Sequence, residues 1–289
     1  MTAIGPLLAA TIVTGDLDRA CAAYSAGLGM ERIAEGQIGD QLASLWQTPD
    51  LSDARWAYLA PGDDSVGGLR LVEAPDPPPK VHPLTTFGWG AVELSVIEPE
   101  RLKGPLEDAG FRILGAPRPL GSNPAIRAMQ VAGPDGEVLY LTDVRAYEGS
   151  LDIHRATRPV DRAFIAVITC RDLPAARGFY EDRFAVRRVS DHEVDVPVLR
   201  DAMNLPDDGR IRISSLQMSG GCLIEHDQYP SSASERPTAA GLPCGIAMMT
   251  LRADIADGTP INLPPYNGAS VQLRRGHEGE WIELVGAPP

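Results

Sequence analysis

One stretch of this 289-residue chain occurs twice. The segment TGDLDRACAAYSAGLGMERI begins at Thr14, and CRDLPAARGFYEDRFAVRRV begins at Cys170, 156 positions later. The matching positions are Asp16/Asp172, Leu17/Leu173, Ala20/Ala176, Tyr24/Tyr180 and Arg32/Arg188. A repeat of this length indicates that the chain builds the same local structure twice, so we expect two related halves.

Each copy of the repeat predicts a strand, a helix and a second strand. A β-branched run, ATIV or IAVIT, precedes an Asp-Leu step, and aspartate is a favoured residue at the start of a helix. The residues that follow have helical spacing and turn the shared tyrosine toward a core. Further strand-like runs come next, RWAYLAP and LRLVEAP early and RISSLQM and CLIEHDQYP late, which completes a βαβββ unit.

A second, less regular unit follows in each half and ends in a similar hairpin. The hairpin is GPDGEVLYLT at residues 133–142 and GHEGEWIELV at residues 276–285. Both copies have glycine at the first and fourth positions and glutamate at the fifth, but the eighth position is Tyr140 in one and Glu283 in the other. We therefore predict an α+β fold of four βαβββ units.

The predicted boundary between the halves lies in a segment without clear periodicity, residues 147–160. We assign the first pair of units to residues 1–148 and the second pair to residues 149–289. Residues 195–209 have helical spacing and form a further insertion, which we expect to lie over one face as a lid.

Composition favours a globular protein whose partner is a small molecule. Hydrophobic residues make up 44% of the chain and charged residues 22%, and no apolar run approaches the length of a membrane span. A net charge of −13 disfavours nucleic acid and anionic membranes, which select for basic surfaces. The four widely spaced cysteines predict buried thiols rather than disulfides or a zinc site, so we expect a cytoplasmic protein.

The four units, the Asp-Leu step into a tyrosine-containing helix and the Gly-x-x-Gly-Glu hairpin together resemble the vicinal oxygen chelate superfamily. That superfamily includes glyoxalases, extradiol dioxygenases and bleomycin-resistance proteins, and the resemblance covers nearly the whole chain. It implies that the units pair into two cup-shaped domains. It also implies a divalent metal, held by His, Gln or Glu on the first and last strands of the units.

In the N-terminal half, the positions that the resemblance assigns to metal ligands carry no ligand set. They fall at about Ala9 and Arg70 in the first unit and at Ala91 and Tyr140 in the second. We therefore expect this half to be a scaffold without a metal.

In the C-terminal half, the last-strand positions are Glu225 and Glu283, which match the metal-binding glutamate of the family. The first-strand positions, near Ile165 and Gly245, lack the usual histidine. We therefore expect the functional cup in this half, with either one divalent metal, Fe, Mn, Mg or Zn, on the two glutamates or no metal at all.

Neighbouring side chains complete the predicted site. Because side chains alternate along a strand, Leu223 shares a face with Glu225, and Trp281 shares a face with Glu283. An apolar wall of this kind suits a flat or aromatic substrate. Two further residues are candidates for binding a substrate carboxylate or phenol, Arg274 and Tyr266.

Two facing carboxyl groups in an apolar cup have two chemical uses. With a metal between them they are ligands, and the metal polarises a substrate carbonyl or enolate oxygen. Without a metal, one carboxyl stays protonated while the other acts as a base, which suits proton transfer next to a carbonyl. Our leading hypothesis is a lyase, isomerase or ring-cleaving dioxygenase that acts on a small aromatic or carbonyl-bearing metabolite, with Glu225 and Glu283 as catalytic residues.

Two other functions remain open at this point. A metal-free protein that sequesters a flat hydrophobic compound, as bleomycin-resistance proteins do, is favoured by the missing histidines. A pseudoenzyme whose strand surfaces serve assembly is the third hypothesis. Because one chain contains all four units, a cup needs no partner subunit, and both a monomer and a homodimer are compatible with the sequence.

Overall fold

The chain folds into two curled eight-stranded sheets. The computed structural model describes residues 1–62, 66–120, 123–147, 149–206 and 209–289. Within these ranges the longest helix has 12 residues, and no helix is long and apolar enough to cross a membrane.

The first two units follow one another along the chain. The first unit comprises β1 (Ile4–Thr14), α1 (Leu17–Leu28), β2 (Glu31–Gln37), α2 (Asp40–Trp46), β3 (Arg55–Ala60) and β4 (Gly68–Glu73). The second unit comprises β5 (Gly88–Val96), α3 (Lys103–Asp108), β6 (Arg112–Leu120), β7 (Asn123–Ala132) and β8 (Val138–Val144).

The third unit repeats the order of the first, and the fourth is the most irregular. The third unit comprises β9 (Val160–Cys170), α4 (Leu173–Arg183), β10 (Arg188–Val194), α5 (Pro197–Met203), β11 (Ile211–Gln217) and β12 (Leu223–Gln228). A short ribbon of β13 (Thr238–Ala239) and β14 (Leu242–Pro243) leads into the fourth unit, which comprises β15 (Gly245–Ala253), β16 (Thr259–Pro260), β17 (Ser270–Arg275) and β18 (Trp281–Val285). Residues 254–269, between its first and later long strands, form turns and β16 in place of a helix.

The helices of the first and third units begin as the sequence predicts. The side chain of Asp16 accepts a hydrogen bond from the backbone N–H of Arg19 at 3.0 Å, and that of Asp172 accepts one from Ala175 at 3.1 Å. Each aspartate thereby satisfies one of the N–H groups that the first turn of a helix leaves without a partner. The repeated Asp-Leu step is therefore a helix cap.

The sheets join units that are not neighbours in the sequence. The first sheet has the order β2-β3-β4-β1-β15-β18-β17-β16 and combines the first and fourth units. The second sheet has the order β6-β7-β8-β5-β9-β12-β11-β10 and combines the second and third units. The expectation that each half of the chain forms its own cup, 1–148 and 149–289, is therefore wrong, because β1 pairs with β15 and β5 with β9. Position 148 itself lies outside the described residues.

The repeated tyrosines and hairpin glutamates hold the two sheets together. Tyr24 of α1 donates a hydrogen bond to Glu137 at 2.5 Å, and Tyr180 of α4 donates one to Glu280 at 2.7 Å. Each bond links a helix of one sheet to a hairpin of the other, and the four side chains are buried. The second oxygen of each glutamate accepts a backbone N–H of its own hairpin, so the shared glutamate is a structural residue.

Candidate functional site

The strand registers identify a set of four equivalent positions at the centre of each sheet. In every unit a residue of the first strand lies opposite a residue of the last strand. In the first sheet the pairs are Thr11 with Arg70 and Thr250 with Glu283, and in the second sheet they are Glu93 with Tyr140 and Val167 with Glu225. The first-strand residues differ from the expected Ala9, Ala91, Ile165 and Gly245. Strand pairing determines which residues lie opposite one another, and the sequence alone does not give the pairing.

In the first cup, the concave face of the first sheet, an ion pair occupies the centre. Arg70 and Glu283 are both buried, and Nη2 of the arginine lies 2.8 Å from Oε2 of the glutamate. The carboxylate also accepts hydrogen bonds of 2.6 Å each from the Thr250 hydroxyl, the Trp46 indole and the Tyr266 hydroxyl. Both oxygens of Glu283 are therefore saturated by groups of the protein itself.

This ion pair decides the charge state of Glu283. Burial alone would raise its pKa, but the positive charge of Arg70 and the three hydrogen bonds outweigh burial and hold the pKa below the ordinary value. The guanidinium also binds the Thr11 hydroxyl, through Nε at 3.0 Å and Nη2 at 2.6 Å, and it lies 4.7 Å from the centre of the Trp46 ring. The first cup contains its own cation.

The first cup is filled by side chains from α2 and from the turns that follow β15. Trp46 comes from the end of α2, and Tyr266 comes from the turns that replace the helix of the fourth unit. Trp281 is buried in the same apolar cluster, beneath the guanidinium of Arg275. Of the predicted substrate-binding residues, Trp281 and Tyr266 thus belong to the packed interior of the first cup, whereas Arg274 is exposed on β17 and contacts Gln272.

The second cup, the concave face of the second sheet, contains a cavity of about 170 Å³. Most of its wall is apolar, with Ile165 and Leu223 from the sheet and Leu199 from α5. The segment between the second and third units adds Tyr147 and Leu151 on one side. The result is a partly enclosed chamber with the concave, mostly apolar lining that is typical of small-molecule sites.

Three carboxyl groups line this chamber. Glu93 is on β5, and Glu225 and Asp227 are two residues apart on β12, so the latter two point to the same face. Glu93 accepts a hydrogen bond from Thr142 at 2.7 Å, and Glu225 accepts one from Ser215 at 3.1 Å. Because β9 lies between β5 and β12, the backbones of Glu93 and Glu225 are roughly 10 Å apart. The two glutamates therefore stand on different strands of the same concave wall.

The carboxyl groups of the second cup titrate near or above neutral pH. Burial, together with the charge of Glu225, raises the pKa of Glu93 to about 8. Burial raises the pKa of Glu225 to about 7, although Ser215 opposes this by donating to the carboxylate. Burial and the charges of the two glutamates also raise the pKa of Asp227 well above its ordinary value. Glu283 is equally buried, yet its pKa is lowered. The pKa values of the second-cup acids are raised because no arginine lies beside them.

The segment at residues 195–209, which contains α5, makes a second difference between the cups. The helices α2 and α5 occupy equivalent places, and each ends at a residue in the left-handed conformation, Gln47 or Asn204. The last helical residue is Trp46 in the first cup and Met203 in the second. Leu199 of α5 lines the chamber, while residues 207 and 208 of that segment lie outside the described residues, and the lid stays a prediction.

The structure separates the predicted catalytic pair. Glu225 and Leu223 line the second cup, whereas Glu283 is at the centre of the first, so the expectation that both glutamates share one C-terminal cup is wrong. Sequence reasoning missed Glu93 and Asp227. A signal for each was present, since Glu93 is an acid within the otherwise apolar strand GWGAVELSV, and Asp227 has the same parity as Glu225.

The residues of neither cup fit the divalent metal that the resemblance implies. In the first cup the arginine already neutralises the carboxylate. In the second cup the four central positions supply two carboxylates, a phenol and the hydrocarbon side chain of Val167. The described residues contain no group of three or more His, Cys, Asp or Glu arranged to hold a metal ion.

Comparisons with known proteins agree with this architecture. Residues 6–141 match the family model of the Glyoxalase/Bleomycin resistance protein/Dioxygenase superfamily. No curated protein sequence matches the chain. Among solved structures, glyoxalase I from Zea mays is similar over 97% of this chain and 92% of its own, with 17% identity and a TM-score of 0.63. A putative dioxygenase from Bacillus subtilis subsp. subtilis str. 168 is similar over 100% of this chain and 87% of its own, with 13% identity and a TM-score of 0.61.

The two kinds of comparison cover different parts of the chain. The family model covers the first two units and the solved structures cover the fold of all four. Residues 6–141 thus match the Glyoxalase/Bleomycin resistance protein/Dioxygenase superfamily in sequence, and the fold of all four units is similar to that of glyoxalase I from Zea mays.

Proposed function

We propose that the second cup is the functional site and that the protein is a metal-independent proton-transfer enzyme of the isomerase or lyase type. Its substrate is a small carbonyl compound of about one ring. The observation that carries this proposal is the pair of carboxyl groups, Glu93 and Glu225, on two strands of the sheet that lines an apolar chamber. A pair with pKa values of about 8 and 7 is matched to acid and base work near neutral pH.

The two carboxyl groups have complementary roles in the proposed step. The ionised one removes a proton from the carbon next to the carbonyl, and the electrons of the broken C–H bond form the C=C bond of an enol. The protonated one gives its proton to the carbonyl oxygen, so that no charge accumulates in the apolar chamber. Return of a proton to a different carbon, or to the other face of the same carbon, with transfer of an enol O–H proton back to a carboxylate, completes an isomerisation without any oxidant or reductant.

The first cup has a structural role in this proposal. Glu283 is saturated by Arg70 and three other donors, and the side chains of Trp46 and Tyr266 fill the space in which a substrate would lie. A carboxylate with a lowered pKa and no accessible partner is a poor base. We therefore assign the catalytic role predicted for Glu283 to Glu93 instead.

Sequestration of a small molecule is the second candidate function. The observation that favours it is the enclosed apolar wall, which suits tight binding of a ring whether or not chemistry follows. A sequestering protein binds its compound in a fixed ratio and releases it unchanged. Turnover, measured directly, separates the two functions.

The test follows the proton itself. Acetophenone and phenylacetaldehyde, incubated with the protein in D₂O, are expected to exchange the hydrogens next to the carbonyl for deuterium, as followed by proton NMR. Glu93→Gln and Glu225→Gln should each abolish the protein-dependent part of the exchange, because each removes one of the two proton-transfer groups. Glu31→Gln, which removes the same charge from the exposed strand β2, is the matched control. Exchange that survives in both cup variants contradicts the proposal, and binding without exchange favours sequestration.

A further inference from the structure

We infer that the compound bound in the second cup carries a positively charged nitrogen, such as a protonated amine, attached to a single ring or a group of similar size. This inference rests on the second cup being the functional site, and it adds the substrate class. Neither the fold nor the family match specifies the charge of a substrate.

The first cup shows how this fold accommodates a central glutamate. Glu283 is buried and ionised because a guanidinium lies 2.8 Å away and hydroxyl and indole donors complete its coordination. Arg70 occupies the last-strand position of the first unit. The equivalent position in the second cup is Glu225, so an acid stands where the first cup has its cation.

The second cup has acids without a cationic partner. Its wall contains Glu93, Glu225 and Asp227, and no lysine or arginine among the described residues lines it. The closest basic side chain of the wall is His192, which is exposed and shares a hydrogen bond with Ser190. The acids of the chamber thus have no internal cation, and a bound ligand is the remaining source of one.

Two buried atoms with no partner point to the same conclusion. Oδ1 of Asp227 and Oε1 of Gln130 have no hydrogen-bond partner, and the two side chains are 1% and 5% exposed. Both residues line the chamber. Buried polar atoms are rarely left without a partner in folded proteins, and both atoms can accept a hydrogen bond. An ammonium group carries three donors and no acceptor, so it matches what these atoms lack.

The size of the chamber and the aromatic part of its wall limit what the rest of the ligand can be. A cavity of about 170 Å³ is close to the roughly 150 Å³ that is known to hold benzene. Tyr140 and Tyr147 are part of the wall, and an aromatic face also attracts a cation. Anionic compounds are disfavoured, because the chamber already contains three acids and no lysine or arginine among the described residues lines it.

The experiment compares three probes of similar size and different charge. Binding of benzylamine, which is protonated at neutral pH, is measured by isothermal titration calorimetry beside benzyl alcohol and benzoate. We expect benzylamine to bind at least about tenfold more tightly than benzyl alcohol, since a charge-assisted hydrogen bond contributes more than a neutral one. Benzoate should not bind. Titrations in two buffers of different ionisation enthalpy should show proton release, because the cation lowers the pKa of the carboxyl groups it contacts.

Variants locate the effect within the cup. Asp227→Asn and Glu225→Gln should each weaken benzylamine binding at least about tenfold and leave benzyl alcohol within about threefold, because they remove charge and keep shape. Glu31→Gln, the exposed control, should bind all three probes like the parent. The comparison of probes on the parent protein requires no variant to fold.

Each outcome is decisive for the charge of the ligand. Benzyl alcohol or benzoate binding as tightly as benzylamine overturns the inference, as does a failure of benzylamine to bind at all. Deuterium exchange on the neutral carbonyl compounds is a separate result. Exchange that depends on Glu93 and Glu225 without a preference for benzylamine would leave the proposed function in place and remove only the substrate class.

Discussion

Replacing Arg70 by methionine should uncover the cost of a buried carboxylate without its cation. In the variant Glu283 keeps its hydrogen bonds from Thr250, Trp46 and Tyr266 but loses the charge that lies 2.8 Å from Oε2. Removal of one partner of a buried ion pair costs about 3–5 kcal/mol. We therefore expect the free energy of unfolding at neutral pH to fall by about that amount.

The pH dependence identifies the cause of this loss. In the parent protein the folded-state pKa of Glu283 is lowered, so the pair stabilises the fold above the unfolded-state pKa and this contribution is lost as the pH falls through the folded-state pKa. Without Arg70, burial raises the folded-state pKa above the unfolded-state value. The difference between parent and variant should therefore grow with rising pH, by up to about 1.4 kcal/mol per unit above about pH 4.5.

Urea denaturation at mildly acidic and at neutral pH measures both quantities. The double variant Arg70→Met/Glu283→Gln should be more stable at neutral pH than Arg70→Met alone and should lose the added pH dependence, because no charge is left to bury. Arg275→Met removes an arginine from the exposed side of Trp281 and serves as the control, with an expected loss of less than about 1 kcal/mol. A loss for Arg70→Met that is below about 1 kcal/mol, or that is equal at both pH values, would refute the assignment of Arg70 as the internal cation.

Three further predictions concern the sheet contact and the second cup. Tyr24→Phe should lower the free energy of unfolding by about 1–3 kcal/mol, because it leaves an oxygen of buried Glu137 without its donor, and thermal denaturation beside the parent checks this. Ala128→Phe, on the wall of the chamber, should weaken benzylamine binding at least about tenfold in calorimetry with an unchanged circular dichroism spectrum; unchanged binding would mean that the ligand lies elsewhere. Because the folded-state pKa values of Glu93 and Glu225 are raised to about 8 and 7, their contribution to stability is present below the unfolded-state pKa of 4.5 and is lost as the pH rises through 7 to 8. Urea midpoints should fall over that range in the parent protein and fall less in Glu93→Gln. Identical pH profiles of the two proteins would contradict the raised pKa of Glu93.

Features that depend on short stretches of sequence were predictable. The Asp-Leu steps are helix caps because a side chain three residues from an N–H group reaches it whatever the rest of the chain does. The alternation along β12 places Leu223 and Glu225 on one wall of the chamber, and His226, on the other face, packs 5.0 Å from the ring of Tyr180. The four units, and the resemblance to the superfamily whose model matches residues 6–141, follow from such local patterns together with their order.

The functional cup was not predictable in the same way. Glu225 was identified because it ends a unit at the position expected of a ligand, but its partner across the chamber is Glu93 of the second unit and not Glu283 of the fourth. The central residues of the first strands also differ from those expected from the sequence, because strand pairing determines them. The face to which a side chain points depends on its own strand alone and can be read from the sequence. The residue that lies opposite it depends on which two strands pair, and the sequence does not give that pairing.

The sequence by itself determined that this chain builds four related units, where their helices begin and which side chains of each strand share a face. Only the tertiary structure decided that the first unit pairs with the fourth and the second with the third. The physical reason is that every unit presents a similar strand edge, so the pairing of β1 with β15 and β5 with β9 depends on the path and packing of the whole chain. That pairing gave one cup an arginine for its glutamate and left the other with three acids and a cavity.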